Sequence, residues 1–191
     1  MNLPNKLTML RVLLVPVFMV FAALGRIGTA DYNPTMHLLA GIVFAAASFT
    51  DFLDGYLARK FHLVTDFGKF MDPLADKCLT TAALIYMVVD GLCSPVVLAI
   101  VLFREFAVAG VRMIAAESGT VIAANMWGKV KTVLQMLTVI FYYIFPFFMG
   151  PTDIMAFGLI TQVLCWLIAA VTLLSGGIYL WQNRVCFMQA K

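Results

Sequence analysis

Asp51-Phe52-Leu53-Asp54-Gly55-Tyr56-Leu57-Ala58-Arg59, continuing through Gly68 to Asp72-Pro73-Leu74-Ala75-Asp76, is the stretch that decides how this chain reads. Five of the ten acidic residues fall here, and four of them, Asp51, Asp54, Asp72 and Asp76, stand in pairs at helical spacing. Asp51 and Asp54 are three residues apart, and Asp72 and Asp76 are four apart, so each pair occupies one face of a helix. Both pairs run into apolar sequence, with Ser48-Phe49-Thr50 before the first and Leu79 to Val89 after the second. Placing an ionisable group in a membrane segment costs about 2.5 to 3.5 kcal/mol. Carboxylates gathered in this way repel one another unless cations hold them. A solvated acidic loop is the plainer alternative, but it explains neither the spacing nor the apolar flanks. Hard divalent cations take oxygen ligands of this type, and two metals roughly 3.5–4 Å apart suit phosphoryl chemistry. Small residues stand beside the carboxylates: Gly55 follows Asp51 by four, Ala58 follows Asp54 by four, and Gly68 precedes Asp72 by four. Such residues let a helix or a flat ligand approach closely.

The surrounding sequence places this motif in lipid. Of 191 residues, 63% are hydrophobic and 12% charged, about half the charged share of an ordinary soluble domain. Six segments have the length of a bilayer crossing: about 7–24, 36–59, 73–89, 95–116, 129–149 and 154–180. The expected fold is therefore all-α, a polytopic membrane protein with six transmembrane helices forming one domain over residues 1–191. Met1 to Leu24 reads as a retained first helix, because no small-x-small cleavage site is evident and five further apolar spans follow. On a model with both termini in the cytoplasm, every one of the 13 Lys and Arg residues except Arg26 lies on or near the cytoplasmic side. Asp31, Asp90 and Asp153 mark the outer loops. No Lys/Arg-rich run points to nucleic acid. The four cysteines are scattered and read as small core residues. His37 and His62 are isolated, and the run Phe141-Tyr142-Tyr143 with Phe145, Phe147 and Phe148 reads as an interfacial aromatic belt.

The pattern Asp51-x2-Asp54-Gly55-x2-Ala58-Arg59-x8-Gly68-x3-Asp72-x3-Asp76 resembles the full signature of the CDP-alcohol phosphotransferases, with all eight fixed positions present. The likeness covers most of the chain. It includes the opening Asn2-Leu3-Pro4-Asn5-Lys6-Leu7-Thr8-Met9-Leu10-Arg11, similar to a short amphipathic N-terminal segment in that family. Arg104-Glu105-Phe106 and Gly128-Lys129-Val130-Lys131-Thr132 are similar to a bacterial subfamily that moves a phosphatidyl group from CDP-diacylglycerol to sn-glycerol 3-phosphate and releases CMP. The last forty residues look generic.

The resemblance implies roles position by position. Asp51, Asp54, Asp72 and Asp76 are expected to hold two divalent metal ions, Mg²⁺ or Mn²⁺, with Asp76 also deprotonating the acceptor hydroxyl. Gly55, Ala58, Arg59 and Gly68, bordered by Asn5 and Thr8, are expected to take the CDP-lipid. For Asn5 and Thr8, helix capping is an equal alternative. Arg104, Arg112, Lys129 and Lys131 are expected to hold the acceptor phosphate, by fork or by point charge. Positive-inside anchoring explains Arg104 poorly, since it ends the apolar run Val96 to Phe103. An ion pair between Glu105 and Arg112, seven apart on one face, is a structural alternative. The family also implies a homodimer in the bacterial cell membrane, with the active site facing the cytoplasm. Two other readings stay open: a sister enzyme using inositol phosphate, serine or phosphatidylglycerol, and a small cation channel or transporter with an aspartate ring.

Overall fold

A computed structural model describes residues 3–27, 32–60, 66–117, 126–149 and 154–184. Within its helices, the side chains of 3–7, 52, 54–60, 66–73, 76, 116–117 and 154 lie outside the description. The described residues form six α-helices and no strand: α1 Leu3–Leu24, α2 Pro34–Lys60, α3 Asp66–Val89, α4 Pro95–Glu117, α5 Met126–Ile144 and α6 Ile154–Gln182. A 3-10 turn, Phe145–Phe148, extends α5. Each apolar segment of the sequence coincides with one helix. Two differences occur: the amphipathic opening is not a separate element but the first turns of α1, and α3 begins at Asp66, about seven residues before the expected start.

Local chemistry explains where helices begin. Asn33 accepts hydrogen bonds at Oδ1 from the backbone N–H groups of Thr35 and Met36, at 3.1 and 3.2 Å. It caps α2, with Pro34 in the first helical position, where a missing N–H costs nothing. Ser94 and Pro95 repeat the arrangement at α4, the Val96 N–H donating to Ser94 Oγ at 3.3 Å.

The helices run alternately up and down, as the contacts at the two ends show. At one end, Gly25 and Arg26 after α1, His37 of α2, Asp90 after α3 and Tyr142 of α5 meet. At the other, Arg11 of α1 meets Asp51 of α2, and residues of α3, α4, α5 and α6 converge around Glu105 and Arg104. The core between these ends is apolar and aromatic. Phe18 of α1 packs its ring against Phe44 of α2 and Tyr143 of α5, with centroids 6.0 and 5.3 Å apart. Leu84, Met87, Val97, Val139 and Ile168 complete it from the other helices.

The end carrying His37 corrects two sequence expectations. Tyr142 and Tyr143 are buried rather than interfacial, while Phe145, Phe147 and Phe148 are exposed. His37 is not isolated. Its Nδ1 lies 2.8 Å from the Gly25 carbonyl oxygen and its Nε2 3.0 Å from that of Tyr142. The Tyr142 hydroxyl donates to Asp90 at 2.6 Å, and Arg26 Nε donates to the same carboxylate at 2.9 Å. Gly25 allows this crossing, because a Cβ there would stand 2.3 Å from the His37 backbone nitrogen. In low dielectric such groups are tolerated only when hydrogen-bonded together.

Among the described residues, α5 with its 3-10 extension and α6 are long and apolar enough to cross a membrane. Helix α4 is as long but carries Arg104, Glu105 and Arg112. Large apolar side chains remain exposed around the bundle, including Phe103, Phe106, Met113, Met155 and Trp181.

Candidate active site

The acidic motif lies on the second half of α2 and the first half of α3. Of its carboxylates, Asp51 is the one whose side chain is described, and α1 holds it. Arg11 Nη1 lies 2.6 Å from Asp51 Oδ1, with the arginine side chain wholly buried and the aspartate 34% exposed. Sequence reading placed Arg11 only as a cytoplasmic charge. Its position in the apolar run of α1 was the signal that it needed a buried partner.

The unequal burial predicts unequal consequences. Asp51→Ala removes the carboxylate from a pair whose arginine side chain is wholly buried, and breaking a buried pair by removing one partner costs up to about 3–5 kcal/mol. Arg11→Met leaves a carboxylate that water already reaches, and is expected to cost less. Unfolding of the detergent-solubilised variants measures the order, and an Arg11→Met variant less stable than Asp51→Ala refutes it.

The other end of the motif is tied to a basic cluster. Lys77, directly after Asp76, lies 3.8 Å from Glu105 of α4. Glu105 Oε1 also accepts from Lys131 Nζ at 2.8 Å and from Arg104 Nη1 at 3.1 Å. One carboxylate thus gathers three cations from α3, α4 and α5 and leaves the group net positive. Arg104 Nη2 donates to Ser175 Oγ of α6 at 2.9 Å. The structure therefore joins Arg104 and Lys131, with Lys131 buried and Lys129 exposed.

Arg112 stands eight residues beyond Arg104, about 12 Å along the helix. It meets Tyr179 instead of Glu105, through Nε to the hydroxyl at 3.4 Å and by lying over the ring. The alternative of a Glu105–Arg112 pair is not what forms, because Glu105 faces α3 and α5 whereas Arg112 faces α6. Thr8 is buried five residues into α1, which removes the capping role for it. The backbone of Asn5 lies in α1, those of Asp54, Gly55, Ala58 and Arg59 in α2, and those of Gly68, Asp72 and Asp76 in α3; their side chains lie outside the described residues.

The cluster borders an apolar cavity of about 520 Å³ lined by Val15, Leu74, Tyr86 and Leu102, with Lys77, Glu105 and Lys131 at its polar edge. An amphiphile with an anionic head suits such a boundary. Among the described residues no group of three metal-ligating side chains occurs. The all-carboxylate donor set of the motif nevertheless has the chemistry of a hard-cation site.

The family model for CDP-alcohol phosphatidyltransferases matches residues 1–174. The chain belongs to that family. A Bacillus subtilis protein named CDP-diacylglycerol–glycerol-3-phosphate 3-phosphatidyltransferase is 42% identical, with 95% of each chain covered. Proteins of the same name from Mycoplasma pneumoniae and Rickettsia bellii are 34% and 33% identical. Each alignment covers 93% of this chain, with 86% and 93% of the respective relative. As a CDP-alcohol phosphatidyltransferase the chain places its family motif on α2 and α3, flanked by α1 through Arg11 and by α4 through Glu105.

Proposed function

We propose that this CDP-alcohol phosphatidyltransferase transfers the phosphatidyl group of CDP-diacylglycerol to sn-glycerol 3-phosphate. The products are phosphatidylglycerophosphate and CMP. The observation that carries the reading is the gathering of Lys77, which follows the last aspartate of the motif in sequence, with Arg104 and Lys131 around Glu105. The relatives' shared name supports the same reaction.

The acceptor hydroxyl oxygen bonds to the β-phosphorus as the bond from that phosphorus to the CMP oxygen breaks, and CMP leaves with the electron pair. The hydroxyl proton passes to Asp76. Asp51, Asp54, Asp72 and Asp76 would hold two divalent cations, Mg²⁺ or Mn²⁺, which when bound neutralise the diphosphate and the charge that develops on CMP. Arg11 fixes Asp51 from behind. Gly55, Ala58, Arg59 and Gly68, with Asn5 and Thr8, border the CDP-lipid. Arg104, Arg112, Lys129 and Lys131 supply the positive field for the acceptor phosphate; Arg104 and Lys131 share Glu105 with Lys77, which leaves that group net positive.

In this reading all six helices cross the cell membrane as one domain, and both termini and the active site face the cytoplasm. The alternation of helix direction and the Lys/Arg asymmetry support it. A homodimer, as the family resemblance implies, is part of the same reading.

CMP release by purified protein, given CDP-diacylglycerol and a panel of glycerol 3-phosphate, inositol phosphate, serine and phosphatidylglycerol, tests the acceptor. Glycerol 3-phosphate is expected to be preferred, and a preference for another acceptor overturns the assignment. Lys129 is exposed, so Lys129→Ala should leave the fold intact. It is expected to raise the KM for glycerol 3-phosphate about ten- to a hundred-fold, the effect of losing one charged hydrogen bond, with the KM for CDP-diacylglycerol unchanged.

A further inference from the structure

Arg104 runs through a slot that side chains of two other helices leave open. Its stem lies against Gly176 of α6, where a Cβ would stand 3.0 Å from Arg104 Cγ. Its head lies against Gly128 of α5, where a Cβ would stand 3.0 Å from Nη2. At the end of the slot Nη2 donates to Ser175 Oγ at 2.9 Å, and Ser175 is wholly buried. On the other side Nη1 donates to Glu105. A guanidinium is a rigid plane with five N–H donors. Two fixed acceptors, one at each terminal nitrogen, set the orientation of that plane and leave the remaining donors pointing where the frame directs them.

A purely structural buried arginine needs neutralisation, and Glu105 supplies it. It does not need a hydroxyl acceptor from a third helix or glycines on both sides of its path. We propose that Ser175 and Gly176, with Gly128, are positioning residues that aim the Arg104 guanidinium at the acceptor phosphate. They thereby set the affinity for glycerol 3-phosphate without touching the CDP-lipid. This inference rests on the proposed role of Arg104 in acceptor binding. It gives the last helix, which carries none of the motif, a part in acceptor choice. It also gives Gly128 a physical reason: any larger residue displaces the guanidinium head.

The test is steady-state kinetics with each substrate varied in turn, on the full-length protein in detergent, for Ser175→Ala, Ser175→Thr and Gly176→Ala. Ser175→Ala is expected to raise the KM for glycerol 3-phosphate about tenfold, the scale of one lost hydrogen bond to a charged group. Its kcat and its KM for CDP-diacylglycerol should stay within about twofold. Ser175→Thr keeps the hydroxyl and is expected to restore most of the acceptor affinity. Gly176→Ala should reproduce the Ser175→Ala pattern, since its Cβ pushes the arginine stem. Should Gly176→Ala fail to fold, the Ser175 pair decides alone. An unchanged KM for glycerol 3-phosphate in Ser175→Ala, or an equal rise in both KM values, overturns the positioning role while leaving the reaction assignment standing. A wild-type enzyme that prefers another acceptor overturns the reaction assignment first, and this inference with it.

Discussion

Removal of divalent cations with excess chelator is expected to abolish CMP release, and Mg²⁺ or Mn²⁺ to restore it. The reason is electrostatic. The motif offers four carboxylates to a substrate whose bridging diphosphate is itself anionic, so without cations the site repels what it must bind. Arg11 offsets part of the charge on Asp51, but the cations gathered at Glu105 are paired with that carboxylate and, in the proposed reading, serve the acceptor. Two charges 4 Å apart interact by about 4 kcal/mol at the effective dielectric of a protein boundary. Several such repulsions outweigh ordinary binding energy. The loss should therefore appear in CDP-lipid binding as well as in turnover, which a nucleotide-binding measurement in chelator checks separately. Ca²⁺ is expected to bind without supporting turnover, because it tolerates looser geometry. Full turnover in excess chelator defeats the two-metal reading.

Replacing Asp76 by Asn should lower kcat by about a hundred- to ten-thousand-fold, the usual contribution of a positioned general base. CDP-lipid binding should largely survive. An amide cannot take the hydroxyl proton, but it keeps an oxygen of similar size in the same place. Asp51→Asn and Asp54→Asn are expected to behave differently, weakening metal and nucleotide binding together. Asp76 differs from them in position as well as in its implied role. It is followed directly by Lys77, which reaches toward Glu105 and the acceptor-side cations. Asp51 is anchored on the opposite flank by Arg11. Binding isotherms for CDP-lipid beside single-turnover rates distinguish the cases. Equal loss of binding in all three variants means that Asp76 acts mainly as a ligand.

The helices and the motif were legible in the sequence because each is written locally. A membrane-length apolar run is helical wherever it lies, since its backbone has no other partner in lipid. Each of the six runs became one helix. Carboxylates three and four apart share a face by helical geometry alone, so the pairing of the aspartates followed from spacing. The family assignment rests on the same local signature and holds over residues 1–174.

Which charged group meets which was not legible. A shared face left open a pair between Glu105 and Arg112, but Glu105 collects Lys77, Arg104 and Lys131 from three helices. His37 looked isolated and became a junction between the carbonyl oxygens of Gly25 and Tyr142. Arg11 looked like a surface charge and lies buried on Asp51. Ser175 and Gly176 looked like any small residues in an apolar helix and instead frame Arg104. The sequence by itself determined the helices and the acidic motif, because periodicity and residue type are local properties. Only the tertiary structure decided the partners of the buried charges. A buried ion is satisfied by whichever opposite charge or dipole the packing brings within about 3 Å, and packing depends on residues a hundred positions apart.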